Sequence, residues 1–213
     1  MDANDRIFVD LLEHLYAAAV DPGGWATFLD HLAKVQPGSG ATVYLLDPQS
    51  LQHPLVVGDS AWTASGFIGS YIAHYGALNP WLPSINAFPR QYVSTSPEYR
   101  GAENLPRTEF FNDWLRPQGL DGGMGTVLSY DANRIMILSL LYGGVPPETV
   151  GQTRALLARL APMPNASPNC IARSTVCGRP TCRHQMRWTA YLLPLCLSGE
   201  TDACERPTAL LTD

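Results

Sequence analysis

The stretch MGTVLSYDANRIMILSLLY (residues 124–142) decides the fold. Its two apolar halves read as strands, and the residues Asp131-Ala132-Asn133 between them are typical of a tight connection, so the stretch predicts a β-hairpin. Working outward, 41–46 and 55–57 predict a second hairpin with a polar connection that begins at Asp47-Pro48, and 92–95 is a short strand candidate. Hairpins favour one antiparallel sheet over a series of parallel crossovers.

Apolar residues at helical spacing predict the helices around this sheet. A first helix ends before the turn at 21–24, a second spans the region of Trp25 to Leu32, and a third covers about 62–76. Thr108 can cap a short helix that runs to Pro117, and a closing helix ends near Leu160. The sequence therefore predicts an α+β fold: a single antiparallel sheet flanked by helices, the layout of GAF- and PAS-like sensor domains. Such a layout does not by itself define a function.

Composition and charge narrow the classes of function. With 213 residues, 46% of them hydrophobic, the chain can bury the core of a globular domain. Its net charge of −5 offers no basic surface, so direct nucleic-acid binding by this chain is disfavoured. The acidic start MDANDRIF resembles no signal sequence, and no apolar run approaches the roughly 18 residues of a membrane span. We expect a cytoplasmic protein without a membrane partner.

Motifs for catalysis, metals and cofactors are weak. No G-x-S-x-G elbow occurs, and the glycine run 122–125 precedes a strand rather than a helix, which favours turn formation over phosphate binding. The histidines are scattered without metal-ligand spacing. They are His14, His31, His53 and His74, with His184 further on. We therefore expect no enzyme, no cofactor and no metal, although Cys177, Cys182 and His184 loosely suggest a zinc appendage as an alternative.

Aromatic residues are the most informative candidates for a site. Several are Tyr or Trp, whose polar ends need partners when buried, so a mostly apolar pocket between sheet and helices is one interpretation. Plain core packing is the other. The candidate pocket residues are Tyr44, Phe67, Tyr71, Tyr75, Asn79, Trp81, Phe110 and Trp114.

Four stretches resemble a known family: 28–47, 71–83, 107–128 with the segment TEFFNDWLRPQGL, and the hairpin end at 140–144. They resemble the N-terminal sensory half of LuxR-type helix-turn-helix transcriptional regulators, over roughly residues 5–161. The resemblance implies a domain that senses an unknown small molecule and forms a homodimer. One branch of that family binds acyl-homoserine lactones, and Phe67, Tyr71 and Asn79-Pro80 resemble its pocket. Phe stands for tryptophan and Asn for aspartate, so the Asn79 carbonyl would have to replace a carboxylate in part.

The chain changes character near Pro162. Residues 162–213 contain all five cysteines, with Pro, Thr and Arg and no sustained period, and do not resemble the helix-turn-helix expected after a LuxR-type sensor. Lys34 is the only lysine among 14 basic residues, which suggests a GC-rich gene, and out-of-frame translation of such a gene would yield this composition. We predict a sensor domain over 1–161 and a frameshifted tail over 162–213, with a genuine tail or a zinc-stapled appendage as alternatives.

Three functions follow from these observations. The leading one is a ligand-sensing and dimerisation domain without its own DNA-binding module. A ligand-free interaction module is the second, and an acyl-homoserine-lactone binder is a narrower version of the first. An enzyme with Asp113 or His74 as acid or base is disfavoured, because no nucleophile, metal set or carboxylate pair converges in the sequence.

Overall fold

A five-stranded antiparallel sheet occupies the centre of the computed structural model, which describes residues 3–21, 23–46, 55–130 and 135–162. The regular elements are, in chain order, α1 (Ala3–Val20), α2 (Gly24–Val35), β1 (Gly40–Leu46), β2 (Leu55–Gly58), α3 (Ser60–Ala64), α4 (Phe67–Ala73), β3 (Ser94–Thr95), β4 (Gly122–Tyr130), β5 (Ile135–Tyr142) and α5 (Pro147–Leu160). Short 3-10 turns cover Tyr75–Leu78, Leu82–Ala87, Ser96–Glu98, Ala102–Arg107 and Arg116–Gln118, and a π-helical segment covers Phe110–Leu115. None of the described helices is long and apolar enough to span a membrane.

The strand order is β2-β1-β5-β4-β3, with every neighbouring pair antiparallel. This confirms the predicted α+β class with one antiparallel sheet. The predicted hairpin strands pair as β4 and β5, with a register shift between Val127 and Ser129, while the turn at 131–134 lies outside the described residues. β5 and β1 pair along their whole length, with Val43 opposite Leu138, so the two predicted hairpins join at the middle of the sheet.

Side chains that alternate along the strands separate two hydrophobic cores, as the period of two requires. On one face Val43 and Leu138 pack with α1, α2 and α5. On the other face Tyr44 and Ile137 pack with α3, α4 and the π-helical segment. The aromatic residues predicted as pocket candidates lie in or against this second core.

The predicted helix at 62–76 is broken into shorter pieces. Gly66 has a φ of +80°, a left-handed conformation that L side chains rarely adopt, and it separates α3 from α4. The buried Asp59 caps α3 by accepting a hydrogen bond from the Trp62 amide at 3.0 Å, and it also accepts one from the Ala41 amide of β1 at 2.8 Å. The Asp59 carboxylate therefore holds the N-terminus of α3 against β1.

The glycine run at 122–125 lies inside β4, so the prediction of turn formation there is wrong. A Cβ on Gly123 would come within 2.5 Å of Leu141 Cδ2 and 3.4 Å of the Trp81 ring. The absence of a side chain at this position lets both residues approach the strand backbone closely.

Candidate ligand-binding site

The candidate site begins with a cluster of aromatic rings between the sheet and the layer of short helices. Tyr71 lies at its centre, with its ring centroid 5.6 Å from that of Tyr44, 5.1 Å from Trp114 and 6.4 Å from Phe110. Trp81 contacts Phe110 edge to face at 5.6 Å. These separations and tilts are those of favourable aromatic packing.

Asn79 connects two aromatic residues through its amide. Its Nδ2 donates to the Tyr71 hydroxyl at 2.8 Å, and its Oδ1 accepts from the Trp81 backbone N–H at 2.9 Å. Asn79 is 7% exposed, so these bonds satisfy polar atoms that water barely reaches. The side chain therefore links α4 to the backbone at the start of the turn Leu82–Ala87.

Trp114 is anchored to α4 from the π-helical segment. Its Nε1 donates to the Ser70 hydroxyl at 3.1 Å and lies 3.4 Å from the Phe67 carbonyl. Tyr75 lies beside it, with ring centroids 6.3 Å apart. Phe67 and Tyr75 are only partly buried and form the outer edge of the cluster.

A small cavity of about 20 Å³ lies between this cluster and the sheet. A water molecule needs about 10–15 Å³ by the same kind of measure, so the cavity has room for little more than water in the described conformation. Its walls are formed by Tyr44, Asn79, Trp81, Leu82, Ile85, Tyr99, Gly123, Met124, Ile137, Ser139 and Leu141.

The structure brings all eight candidate pocket residues into one region but distributes them between two positions. Tyr44, Asn79 and Trp81 line the cavity. The other five pack behind or beside it and form the core of this face. They are Phe67, Tyr71, Tyr75, Phe110 and Trp114.

Sequence reasoning missed two polar residues of the cavity wall. Ser139 interrupts the otherwise apolar strand ILSLL. The sequence could have indicated this residue, because a polar side chain on a buried strand usually has a hydrogen-bond partner or lines a site. Tyr99 gave no such signal: it follows a 3-10 turn, and the Ser94 hydroxyl pairs with its hydroxyl at 2.6 Å. Only the folded chain brings Tyr99 to the cavity.

The polar groups on the wall are uncharged. Burial raises the pKa of the Tyr44 and Tyr99 phenols, and burial together with the nearby Tyr44 raises that of Tyr71 well above its ordinary value. All three phenols therefore stay protonated at neutral pH and can donate a hydrogen bond. Among the described wall residues none carries a formal charge.

Trp81, one of the residues of the cavity wall, has an unused donor. Its Nε1 is buried and has no hydrogen-bond partner among the described residues. Leaving a buried N–H unpaired costs about 1–3 kcal/mol, so an acceptor that reaches this group would be favoured. Trp25 Nε1, in the core on the other face of the sheet, is also buried and unpaired and provides an internal comparison.

Two solved structures share this arrangement of sheet and helices. The ligand-binding domain of VqsR from Pseudomonas aeruginosa matches with a TM-score of 0.58 and 16% identity, over 74% of this chain and 93% of that chain. CepR2 from Burkholderia cenocepacia, an N-acylhomoserine lactone dependent LuxR family transcription factor, matches with a TM-score of 0.53 and 17% identity, over 78% of this chain and 95% of that chain. No protein-family model and no curated protein match the sequence. The chain has the fold of LuxR-type ligand-binding domains.

Proposed function

We propose that residues 1–161 are the sensory domain of a LuxR-family transcriptional regulator. The ligand binds between the sheet and the aromatic layer, by which we mean the packed rings of Tyr71, Trp81, Phe110 and Trp114. Trp81 carries this proposal, because it is a residue of the cavity wall and its buried Nε1 is a donor without an acceptor among the described residues. The shared fold supports it, as does the resemblance of 71–83 and 107–128 to such domains.

The wall chemistry defines the class of ligand. A charged ligand would lose its hydration without gaining an ionic partner, which is costly in a buried site. The ligand is therefore an uncharged molecule with an apolar body and a hydrogen-bond acceptor for Trp81. Since the cavity holds about 20 Å³, anything larger than water has to displace side chains of the aromatic layer.

An acyl-homoserine lactone is one member of that class. CepR2 is a transcription factor that depends on an N-acylhomoserine lactone. In this chain Phe67, Tyr71 and Asn79 resemble a lactone pocket. Asn79 Oδ1, however, already accepts from the Trp81 amide, so it has only a remaining lone pair for a ligand amide. A lactone with a long acyl chain would also require the largest rearrangement.

The proposal is tested by thermal-shift screening of the full chain against uncharged metabolites, with acyl-homoserine lactones as one arm. A ligand that binds only the native state raises the melting temperature with concentration. Trp81→Phe removes the donor but keeps most of the ring, and we expect several-fold weaker binding, since one neutral hydrogen bond contributes about 0.5–1.5 kcal/mol. Trp25→Phe is the matched control, because it removes an unpaired indole N–H from the other core. Equal ligand affinity in both variants would contradict the proposed site.

A ligand-free interaction module is the second candidate, and the small size of the described cavity, about 20 Å³, favours it. Ile7, Val9, Tyr16 and Val20 of α1 are exposed apolar residues, and Tyr16 is 52% exposed. α1 also contacts α5, where the Arg159 guanidinium lies 4.1 Å from the Phe8 ring centroid. A dimer through these first and last helices needs no ligand. Sedimentation that shows a dimer, together with no thermal shift from any metabolite class, would favour this function over the first.

We also propose that residues 162–213 do not belong to the sensor domain and arise from a frameshift. The last described helix, α5, ends at Leu160, close to the change in composition. The predicted tail itself lies outside the described residues, apart from Pro162. Sequencing the gene downstream of codon 161 decides between the alternatives: the frameshift is refuted if no other frame encodes a helix-turn-helix.

A further inference from the structure

We propose that Asp10, His14 and His31 form a binding site for a divalent transition-metal ion of the zinc class. The three side chains come from two helices, α1 and α2, and their candidate ligand atoms all lie within 4.8 Å of one another. Spacing in the sequence predicts no such site. The tight packing of the two helices creates it.

The distances are close to those that a metal needs. His31 Nδ1 lies 2.7 Å from Asp10 Oδ2, and His14 Nε2 lies 3.7 Å from Asp10 Oδ1. Ligand atoms at a tetrahedral zinc with bonds of about 2.0–2.2 Å are about 3.3–3.6 Å apart. The hydrogen-bonded Asp10–His31 pair therefore has to open by less than about 1 Å, while the other separations, which are at most 4.8 Å, have to close by up to about 1.5 Å. Two of the ligands, Asp10 and His14, are one helical turn apart on the same face of α1.

The two imidazoles that share the Asp10 carboxylate also contact each other. The His14 and His31 ring centroids are 3.9 Å apart, with the ring planes tilted by 46°. Two protonated imidazoles at this distance would repel each other, whereas a metal ion bound to one nitrogen of each ring would hold them together. The carboxylate of Asp10 supplies the compensating charge.

The donor set selects the class of metal. Two imidazole nitrogens and one carboxylate oxygen suit Zn²⁺ and neighbouring ions such as Co²⁺ and Ni²⁺, whereas Mg²⁺ and Ca²⁺ prefer oxygen ligands only. Three protein ligands leave a fourth position for water. The side chains of His14, His31 and Asp10 are 30%, 31% and 53% exposed, so an ion can reach the site from solvent.

A shallow groove of about 370 Å³ adjoins the site and brings two cations near it, Arg6 and Lys34. Their positive charges repel a dication and therefore lower its affinity for the site. The site lies on the opposite face of the sheet from the ligand cavity, because α1 and α2 belong to the first hydrophobic core. The proposed metal site therefore shares no residue with the ligand cavity.

The test is calorimetric titration of Zn²⁺ into the full chain with its five cysteines replaced by serine, since Cys and His residues of 163–213 could also bind zinc. We expect saturable binding in which His14→Gln and His31→Gln each weaken the affinity by at least roughly tenfold, as even the loss of an outer partner of a metal ligand costs about 10- to 100-fold. The matched control is His74→Gln. His74 Nε2 also pairs with a carboxylate, at 2.6 Å from Glu109 Oε1, but it is not in the cluster.

Two results would overturn the site: no saturable binding to the parent chain, or binding that is equally strong in His31→Gln and His74→Gln. A measurement that needs no variant accompanies the titration. In NMR spectra of the histidine side chains, Zn²⁺ should shift the ring signals of His14 and His31 and leave those of His74 in place. Shifts confined to other histidines would refute the assignment.

Discussion

Asn79→Ala should be one of the most destabilising polar substitutions in the aromatic core. It removes the acceptor for the Trp81 backbone N–H and the donor to the Tyr71 hydroxyl, at 2.9 and 2.8 Å. An orphaned buried N–H costs about 1–3 kcal/mol, and the lost side-chain bond adds about 1 kcal/mol, so the free energy of unfolding should fall by about 2–4 kcal/mol. The loss should appear in urea unfolding, followed by tryptophan fluorescence and far-UV circular dichroism, as a lower midpoint at an unchanged m-value.

A double-mutant cycle isolates the bond itself. Tyr71→Phe alone should cost about 1–2 kcal/mol, and Asn79→Ala with Tyr71→Phe should cost about 1 kcal/mol less than the sum of the two single changes. Asn112→Ala is the control. Asn112 Nδ2 also donates two hydrogen bonds, to the carbonyls of Pro106 and Thr108 at 3.0 and 2.9 Å, but the residue is exposed and water can replace them. Asn112→Ala should therefore lower the free energy of unfolding much less than Asn79→Ala does. The reasoning is refuted if the two alanine variants are equally stable or if the cycle is additive within about 0.5 kcal/mol.

Two further predictions concern packing on the same face and are checked by the same urea titrations. Phe110→Ala should cost about 3–5 kcal/mol, because Phe110 is fully buried. Phe111 is only partly buried, so Phe111→Ala should cost at least about 1 kcal/mol less. Equal losses would mean that burial of the ring does not decide the effect. Gly123→Ala should cost about 1–3 kcal/mol, since its Cβ would meet Leu141 Cδ2 at 2.5 Å. Gly151→Ala, at an exposed position of α5 where a Cβ meets nothing within 4 Å, should stabilise by up to about 1 kcal/mol. The two substitutions should therefore change the free energy of unfolding in opposite directions. A Gly123→Ala variant as stable as the parent would contradict the close approach of Leu141 to position 123.

The elements that could be predicted are those with a regular apolar period. The helices α1, α2 and α5 each bury one face in the first hydrophobic core, on one side of the sheet, so their apolar period reflects the fold directly. In contrast, β4 and β5 are buried on both faces and are recognised as apolar runs around a turn. The layer of short helices is different. Gly66 breaks a pattern that otherwise predicts one helix over 62–76, and nothing in the composition of Phe110–Leu115 distinguishes a π-helical from an α-helical segment.

The sequence also did not predict which side chains from different helices and strands meet in the folded chain. Asp10 and His14 can be recognised as neighbours on one helix face, but the approach of His31 depends on the angle and register at which α2 packs on α1. In the same way, the aromatic composition indicates where a pocket could form. Whether a cavity remains open depends on how completely the side chains fill the space, and no periodic pattern carries that information.

The two sides of the cavity differ in secondary structure, and this difference can reconcile a filled core with the sensing function that we propose. The sheet wall is held by continuous antiparallel ladders, for example along β1 and β5. The opposite wall includes residues of the short 3-10 turn Leu82–Ala87, and the π-helical segment lies behind or beside this wall. Such segments open at lower free-energy cost than a central sheet, and π-helical turns occur frequently at functional sites. A ligand that enters the cavity would therefore move the aromatic layer outward, and the bond from Asn79 to Tyr71 would be among the first contacts that it changes.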